Sequence, residues 1–379
     1  MKTLKFIAVL VATTAILLLP SCNERNTPDY DTTELWPAYS ASFDKYGFIN
    51  KKGEWAIQPN FDGVSTFSCG YARVSVSNRN YFINKKGDIQ QSITFDMADD
   101  FQYNYCVVSI NNQCGMIDNR LSLIVPAIYP ALGAMSSSGL ALASMDGKSY
   151  GFLDKKGNWG IVPQYEAAGD FVDGVAVFSV GNKYGAINTK GGYAVMPIYD
   201  QLLSVGESRL RFRDSNSGNY GLLGVDGKQK VQAMYKAIGT FFDNGLAVAT
   251  FDGENYGYID ANGNQKIMFQ YKRAFVFADG YAWVYQGNAW IVINTKGEVQ
   301  YNLPSEWVPA SNFHNGLALI ADESGDEYHY IQPNGKIVFT WYSGSNWVSQ
   351  PTTTLSSGFD SKPSENYCLG TTSLQTTRR

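Results

Sequence analysis

One eight-residue phrase recurs along this chain, and the recurrence constrains the fold more than any other feature. The phrase is an aromatic residue, glycine, two apolar residues, Asn or Asp, two turn residues and a second glycine. Its clearest copies are residues 46–53, 150–157, 184–191 and 256–263. A sequence that repeats every 20 to 50 residues or so builds its core by stacking similar units side by side.

The second glycine of the phrase marks the period of the repeat. Successive markers are 34 to 38 residues apart, which gives nine copies, the last of them incomplete. The markers are Gly53, Gly87, Gly157, Gly191, Gly227, Gly263, Gly297 and Gly335, with Leu121 at the equivalent place of a degenerate copy.

Each copy predicts three short antiparallel strands. Asn50 followed three residues later by Gly53 is typical of a type I turn with a glycine bulge, so the phrase closes a hairpin. A third strand follows an Asp-Gly turn, as in residues 171–177. No window beyond residues 6–19 shows a helical period. The sequence therefore predicts an all-β array of about nine three-stranded repeats of about 35 residues.

An aromatic residue lies eight positions after the marker in seven copies, which indicates that the ring occupies the same place in every unit. Burial of one ring removes roughly 150–250 Å² from water. Packing between neighbouring units is the favoured interpretation, and a ladder of rings that stack on a ligand is the alternative. These residues are Phe61, Phe95, Tyr129, Tyr165, Tyr199, Tyr235 and Tyr271.

The glycine of the Tyr-Gly pair lies in the middle of a predicted strand, as Gly185 does. A missing side chain there allows a neighbouring ring to lie over the backbone. Replacement of Gly185 by valine is therefore predicted to destabilise the fold by overpacking. The equivalent glycines are Gly47, Gly151, Gly221 and Gly257.

Two arrangements of the units are compatible with the repeat. Propellers usually close with about four to eight blades of four strands. Nine shorter units exceed that number, which favours an open superhelical array over a propeller-like ring.

The repeated motifs resemble the WG-repeat family of bacterial proteins, also called KWG repeats. The resemblance covers residues 46–338, where the Tyr-Gly phrase, a Pro-x-Tyr motif and a Phe-x-x-Gly-Leu-Ala motif recur in register. The family's Trp-Gly pair is here mostly Tyr-Gly, at Tyr46, Tyr150, Tyr184, Tyr220 and Tyr256. The resemblance implies a repeat architecture and interactions at the cell surface or envelope, and it implies little about activity.

The amino terminus predicts export and a lipid anchor. Residues 1–21 contain Lys2 and Lys5 before an apolar run, the pattern of a secretory signal. Residues 19–22 read Leu-Pro-Ser-Cys and resemble the bacterial lipobox, which implies cleavage after Ser21 and lipidation of Cys22. Several acyl chains on one cysteine give a stable anchor. Residues 22–40 are then a polar tether, 41–342 the repeat array, and 343–379 a Ser/Thr-rich tail predicted to be disordered or loosely docked.

Charge and cysteines exclude some functions. The net charge is −4 and no basic run is present, so nucleic acid is not an expected partner. Besides Cys22 the chain has four cysteines, Cys69, Cys106, Cys114 and Cys368, without a CxxC pair, and no metal or cofactor is expected. A hairpin disulfide between Cys106 and Cys114 is possible in an exported chain. Free structural cysteines are the favoured alternative.

No catalytic motif stands out. The chain has two histidines, His314 and His329, and lacks Ser-His-Asp, HExxH and phosphate-loop signatures. His314 is interpreted as a solvated turn residue, and local backbone bonding in turns explains Asp170, Asp173 and Asp279. The acidic loop 321–327 is interpreted as solvated rather than as a calcium site. No catalytic residue is nominated, the binding residues remain unassigned, and a non-enzymatic protein is expected.

Three functions follow as hypotheses. The first is a lipid-anchored scaffold for protein interaction or assembly in the bacterial envelope, at the outer membrane and facing the periplasm or the surface. The second is carbohydrate binding through exposed Tyr and Trp, for example near Trp283 and Trp290. The third is a hydrolase with an unrecognised pair of carboxylates. A flat apolar patch would favour a protein partner. An exposed aromatic platform would favour a glycan, and a pocket with two carboxyl groups would favour an enzyme.

Overall fold

The structure is a computed structural model that describes residues 34–77, 79–90, 95–241, 244–342 and 368–369. Within these ranges the chain forms 35 strands and no helix, and the strands form nine antiparallel sheets. The all-β prediction is confirmed. In the described part of the chain, no helix meets the length and hydropathy needed to span a bilayer.

Each sheet is one blade, and its strands follow one another in sequence. Blades 1 to 3 consist of β1 (Trp36–Ser40), β2 (Lys45–Ile49) and β3 (Trp55–Phe61); β4 (Gly63–Val64), β5 (Ala72–Val76) and β6 (Arg79–Ile83); β7 (Met97–Ala98), β8 (Tyr105–Ile110), β9 (Gln113–Asp118) and β10 (Leu123–Tyr129). Blades 4 to 6 consist of β11 (Ala131–Leu132), β12 (Leu140–Ser144), β13 (Tyr150–Asp154) and β14 (Trp159–Tyr165); β15 (Ala167–Ala168), β16 (Val175–Val180), β17 (Lys183–Asn188) and β18 (Tyr193–Tyr199); β19 (Leu202–Gly206), β20 (Arg209–Arg213), β21 (Tyr220–Gly224) and β22 (Gln229–Tyr235).

Blades 7 to 9 have the same plan. They consist of β23 (Ala237–Ile238), β24 (Leu246–Thr250), β25 (Tyr256–Asp260) and β26 (Gln265–Tyr271); β27 (Arg273–Ala274), β28 (Tyr281–Gln286), β29 (Ala289–Asn294) and β30 (Val299–Asn302); β31 (Trp307–Pro309), β32 (Ala318–Asp322), β33 (Glu327–Ile331) and β34 (Ile337–Tyr342). A final strand, β35 (Cys368–Leu369), pairs with β11 at the edge of blade 4.

Most blades have four strands where the sequence predicted three. The additional first strand is only two residues long in five of the blades, such as β15, too short to produce an alternating pattern. Blade 9 is complete, so the prediction of an incomplete last copy is wrong, and blade 1 has three strands. Trp36–Ser40 of the predicted tether is the first strand of blade 1 and pairs with β2.

The predicted turn is present at the marker glycines. The amide of Gly53 donates to the carbonyl of Asn50 at 2.9 Å, and the side-chain oxygen of Asn50 accepts from the amides of Lys52 and Glu54. Gly53 has φ of +82°, in the left-handed region that glycine tolerates. Leu121 adopts φ of +61° at the equivalent place, so the degenerate copy keeps the turn despite its side chain.

The hydrophobic core is divided among the interfaces between blades. Between blades 4 and 5, for example, Phe152 and Tyr165 pack against Phe171 and Phe178. The aromatic residue eight positions after the marker is at most 7 % exposed in six of the seven copies, all except the half-buried Tyr199. Packing between neighbouring units is therefore the confirmed interpretation of these rings.

The array closes into a nine-bladed propeller. At most interfaces the marker glycine of one blade lies against the last strand of the blade before it, as Gly263 lies against Val231. Gly53 of blade 1 lies against Val338 of blade 9 in the same way. The contact between marker glycine and preceding last strand thus also joins blade 1 to blade 9, which closes the ring. The propeller alternative is confirmed, and the open array that the number of units favoured is wrong.

The junction between blades 9 and 1 has its own hydrophobic cluster. Trp36 and Ile49 pack there against Leu317, Tyr328 and Tyr330. The indole N–H of Trp36 also donates to the carbonyl of His314 at 3.1 Å. The signal segment, Cys22, most of the tether and, apart from β35, the tail lie outside the described residues.

Candidate interaction surface

A strip of exposed aliphatic side chains follows the last strands of blades 3 to 7. The side chains occupy the positions five and seven residues after the marker, and each is 50 to 65 % exposed. We call this set the aliphatic strip, and it consists of Ile128, Val162, Met196, Ile198, Met234 and Met268.

Strand geometry accounts for the exposure of the strip. In β22, Val231 and Tyr235 are buried against the next blade, whereas Met234 points the other way. Each of these strands forms one edge of its sheet. Pro163 and Pro197 interrupt β14 and β18 beside the exposed residues, and proline at an edge opposes pairing with another sheet.

The fold itself does not require apolar residues at these positions. The same positions carry exposed Gln58 and Asn60 in blade 1 and Asn302 in blade 8. These blades form the same sheets and the same interfaces. The aliphatic side chains are thus confined to five neighbouring blades, where the same positions also carry exposed Gln164, Gln232 and Gln270. Exposed apolar side chains that cluster are a feature of interaction sites.

The tryptophans nominated for carbohydrate binding do not form an exposed platform. Trp283 is fully buried, and its indole N–H donates to the carbonyl of Ser311 at 3.0 Å. Trp290 is half-buried and stacks on Phe275, with ring centroids 5.4 Å apart. Trp283 is therefore excluded as a sugar-stacking residue. The sequence did not predict the burial of Trp283, because a strand pattern does not show which face a neighbouring blade covers.

Two of the recurring turn acids connect blades rather than their own turns. Asp173 accepts a hydrogen bond from the amide of Ser208 in blade 6, and Asp279 accepts one from the amide of Gly316 in blade 9. The interpretation of these two acids by local bonding alone is wrong. Each carboxylate joins the turn between the first and second strands of one blade to the same turn of the next blade. The bonded residues are more than 30 positions apart, so no local pattern reveals the contact.

Three other acids, Asp99, Asp100 and Asp170, lie just after the first strand of their blades. Desolvation raises the pKa of Asp99 to about 6, helped by the charge of Asp100, and raises the pKa of Asp170 to about 6. Burial also raises the pKa of Asp100, against the opposing charge of Arg73. Asp99 is nevertheless exposed and the other two are half-exposed, so solvent reduces the cost of their charges.

Unpaired polar atoms concentrate at one repeat position in the described chain. In four blades a polar residue directly precedes a buried core residue in or after the first strand, and these polar residues are Asp100, Asp170, Ser204 and Asn312. Each has a buried side-chain oxygen without a hydrogen-bond partner. Asp170 was interpreted as a locally bonded turn acid, and that interpretation is wrong. No group of three or more metal-ligating side chains occurs among the described residues.

We expect Asp170→Asn to stabilise the protein at pH 7.5 by about 1 kcal/mol, because it removes a desolvated negative charge. The gain is modest because the side chain is partly exposed to solvent, which lowers the cost of the charge. The folded-state pKa is raised from 3.8 to about 6. The native carboxyl therefore holds its proton more tightly than the unfolded one, and the wild type loses stability as pH rises from 4 to 6. Urea unfolding at pH 4 and pH 7.5 measures the difference.

Glu166→Gln is the matched control for this prediction. It makes the same change in net charge at an exposed carboxyl four residues away. An equal gain in both variants at pH 7.5, or a gain for Asp170→Asn that persists at pH 4, would contradict the desolvation argument.

The two histidines occupy different environments, both at blade 9. His314 is half-exposed and lies 3.1 Å from the amide of Asn315, as expected for a turn residue. His329 is buried, with its Nδ1 2.6 Å from the hydroxyl of Thr340 and its ring 4.2 Å from that of Trp307. Desolvation lowers the pKa of His329, which is a property of packing in the blade.

The cysteines differ from the sequence prediction. Cys106 is a buried free thiol, so the possible bridge between Cys106 and Cys114 is excluded. Cys69 and Cys114 are each in a disulfide bond, which corrects the preference for free cysteines. In the acidic loop, Asp322 accepts from the amides of Asp326 and Glu327, so its carboxylate caps its own turn.

Comparison with solved structures supports the fold. The chain is similar to a structure of the eukaryotic initiation factor, with 9% identity, 86% of this chain and 98% of that chain covered, and a TM-score of 0.56. Apo AztD from Citrobacter koseri is similar over 78% of this chain and 94% of its own, with 11% identity and a TM-score of 0.41. Only the first likeness bears on the fold. No curated protein matches the sequence.

Comparison with protein families identifies the repeat itself. The family model for the WG containing repeat matches residues 46–79, 82–114, 150–184 and 256–290. The matched segments fall in blades 1 to 5 and 7 to 8, which share their fold with the remaining blades. Tyrosine takes the place of tryptophan in the eponymous pair, and the glycine that follows it lies against backbone atoms of the next strand. Four segments of the chain thus match the WG containing repeat, which supports the resemblance to the WG-repeat family.

Proposed function

We propose that this propeller is a protein-interaction scaffold of the bacterial cell envelope, held at the outer membrane by a lipid on Cys22. The observation that carries the proposal is the aliphatic strip, six exposed side chains on the last strands of five successive blades. A repeat-built propeller is consistent with a non-enzymatic role in binding.

The chemistry of the strip favours a protein partner over a glycan. Its side chains are Ile, Val and Met, which pack well against apolar protein surfaces, and methionine adapts to irregular ones. Sugars stack on flat aromatic rings, which the strip lacks. Burial of the strip by a partner removes apolar area from water, at about 25 cal/mol per Å² before the cost of association.

Export of the chain has support from its cysteine chemistry. Disulfides form and persist in oxidising compartments such as the periplasm or cell surface. The disulfide bonds at Cys69 and Cys114 fit such a compartment. The secretory pattern of residues 1–21 and the lipobox-like residues 19–22 point the same way.

A variant of the strip is expected to lose partner capture. Met196→Gln, Ile198→Thr and Met234→Gln together replace apolar surface by polar surface while leaving the blade interfaces intact. The mature chain without its lipid anchor serves as bait in a pull-down from envelope extract, and mass spectrometry quantifies the captured proteins. We expect the variant to capture at least tenfold less of the partner protein.

Met145→Gln is the control, because Met145 is 52 % exposed but lies outside the strip. Proteins captured equally by the wild type and the strip variant do not use the strip. Unchanged capture of every partner by the strip variant would refute the strip as the binding face. A glycan array probed with the same chains would show sugar binding that the strip variant leaves intact if the carbohydrate hypothesis is correct.

Cys22→Ser is expected to move the protein from the membrane fraction to the soluble fraction, because the lipid is attached to that thiol. Metabolic labelling with an alkyne fatty acid, followed by fractionation, measures both attachment and location. Membrane retention and label in the Cys22→Ser chain would show that another residue or another mechanism anchors the protein.

A further inference from the structure

Lysines are concentrated at one end of the blades, in the turns that contain the marker glycine. In blades 1 to 5, eight of the ten residues at the tips of these turns are Lys or Arg, and all eight are exposed or half-exposed. The turn does not need them, because blades 6 to 9 have one cation, Lys296, at the eight equivalent positions and form the same glycine hydrogen bond. We call the eight cations the basic arc, and they lie within residues 51–52, 85–86, 119–120, 155–156 and 189–190.

The opposite end of the blades is acidic. The strand that leads into each marker turn begins at another turn, which lies at the other end of the blade. Among the described residues, these preceding turns contain one cation, Lys148, and seven acids. The acids are Asp44, Asp146, Asp214, Asp252, Glu254, Glu323 and Asp326.

Acids also lie at the end of the blades that carries the basic arc, and three of them are hydrogen-bonded within the protein. Glu54 and Asp88 accept from the side chains of asparagines in their own turns, and Asp173 accepts from a backbone amide of the next blade. Among the described residues, no ion pair joins the arc residues 155–156 and Lys190 to a carboxylate. These ammonium groups are therefore available to an external anion.

The chain enters the propeller at the same end as the basic arc. The carboxylate of Glu34, the first described residue, accepts a hydrogen bond from the side chain of Asn315 at 2.6 Å. Lys51 lies beside the same turn, because a β-carbon on Gly316 would be 3.7 Å from its Nζ. Twelve residues separate Cys22 from Glu34, which reach about 40 Å when fully extended. A lipid on Cys22 thus keeps this end of the blades near the membrane.

We propose that the basic arc docks on anionic lipid headgroups of the membrane to which Cys22 is attached, so that the propeller lies with this end against the bilayer. A basic surface strengthens a lipid anchor, because each cation within the Debye length of about 10 Å is attracted to the negative surface. The acidic end then points away from the membrane. The inference rests on the proposed lipid anchor and not on the aliphatic strip.

Vesicle sedimentation of the mature chain without its lipid tests the arc apart from the anchor. The chain is mixed at low salt with vesicles of phosphatidylcholine alone or of phosphatidylcholine with phosphatidylglycerol. We expect about tenfold tighter binding to the anionic vesicles, and added salt should weaken it. Lys155→Gln, Lys156→Gln and Lys190→Gln together should reduce that binding about tenfold, because they remove three of the attracted charges.

Lys148→Gln, Lys236→Gln and Lys272→Gln together are the matched control. They remove the same charge from exposed lysines at the acidic end, where Lys272 donates to the side chain of Asn255, and they should keep the binding. Equal binding to both kinds of vesicle, which an acidic protein as the true partner of the arc would produce, or an equal loss in both variants would overturn the proposal. A failed anchor at Cys22 does not change this assay, because the chain carries no lipid.

Acetylation footprinting of the lipid-modified protein tests its orientation. On anionic vesicles we expect Lys155, Lys156 and Lys190 to react a few-fold more slowly than on neutral vesicles, whereas Lys148 and Lys236 react at the same rate on both. Equal rates for the arc lysines on the two kinds of vesicle would show that the arc does not face the bilayer.

Discussion

Replacement of Gly185 by alanine is expected to lower the melting temperature by about 5 °C, which corresponds to about 3 kcal/mol of overpacking in a chain of this size. A β-carbon at Gly185 would lie 2.7 Å from the carbonyl oxygen of Val195, 2.8 Å from the nitrogen of Pro197 and 3.0 Å from the ring of Phe178. The first two are backbone atoms of the neighbouring strand, which move only with their blade. Valine adds two more methyl groups and should have a larger effect. Differential scanning calorimetry measures both.

Gly169→Ala is the matched control for this substitution. The nearest atom to a β-carbon there is the oxygen of Val177, at 3.9 Å, and the backbone does not need a positive φ. This variant should change the melting temperature by less than about 2 °C. Equal stability of Gly185→Ala and wild type would show that the bulged strand adjusts freely, against the packing account of the Tyr-Gly pair.

Trp36→Ala is expected to cost about 3–5 kcal/mol and to open the ring at the junction of blades 9 and 1. The side chain is only 2 % exposed, and its loss leaves a cavity against Leu317 and Leu319 and removes the hydrogen bond from the indole to the carbonyl of His314. Amide hydrogen exchange should rise in β2 and β33, on the two sides of the junction, while β16 of blade 5 keeps its protection.

Trp159→Ala provides the comparison at another interface. Trp159 is half-buried and its ring lies edge-on to that of Tyr129, at 6.2 Å, between blades 3 and 4. This variant should lose stability without faster exchange in β2 and β33. Uniform exchange throughout the propeller in Trp36→Ala would contradict a local opening, because it would mean that the ring unfolds as one unit.

Much of the blade was predictable because its determinants are close in sequence. Asn50 and Gly53 fix the hairpin turn, since a side-chain oxygen and a positive φ act within four residues. The constant offset of Tyr165 and its equivalents placed them correctly in the interfaces. The backbone explanation for the Tyr-Gly glycine was incomplete, because its nearest neighbours are the carbonyl and proline of the next strand as well as a ring.

The candidate surface was less predictable. The sequence offers Trp283 and Met196 as similar apolar strand residues, yet one is fully buried and the other 56 % exposed. The face of each strand depends on which side the neighbouring blade covers. Asp170 likewise reads as a turn residue, and only its crowded position near Gly133 of blade 4 shows that its carboxyl is desolvated.

The sequence by itself determined the repeat unit, its turns, its period and its strand content, because these depend on contacts within about 35 residues. The tertiary structure alone decided that nine units close on themselves. Closure depends on the angle between neighbouring blades, which many weak packing contacts set together, and on contacts such as that of Trp36 with His314, 278 residues apart. A local sequence pattern does not specify the angle between neighbouring blades, and the ring closes only because nine such angles add up to a full turn.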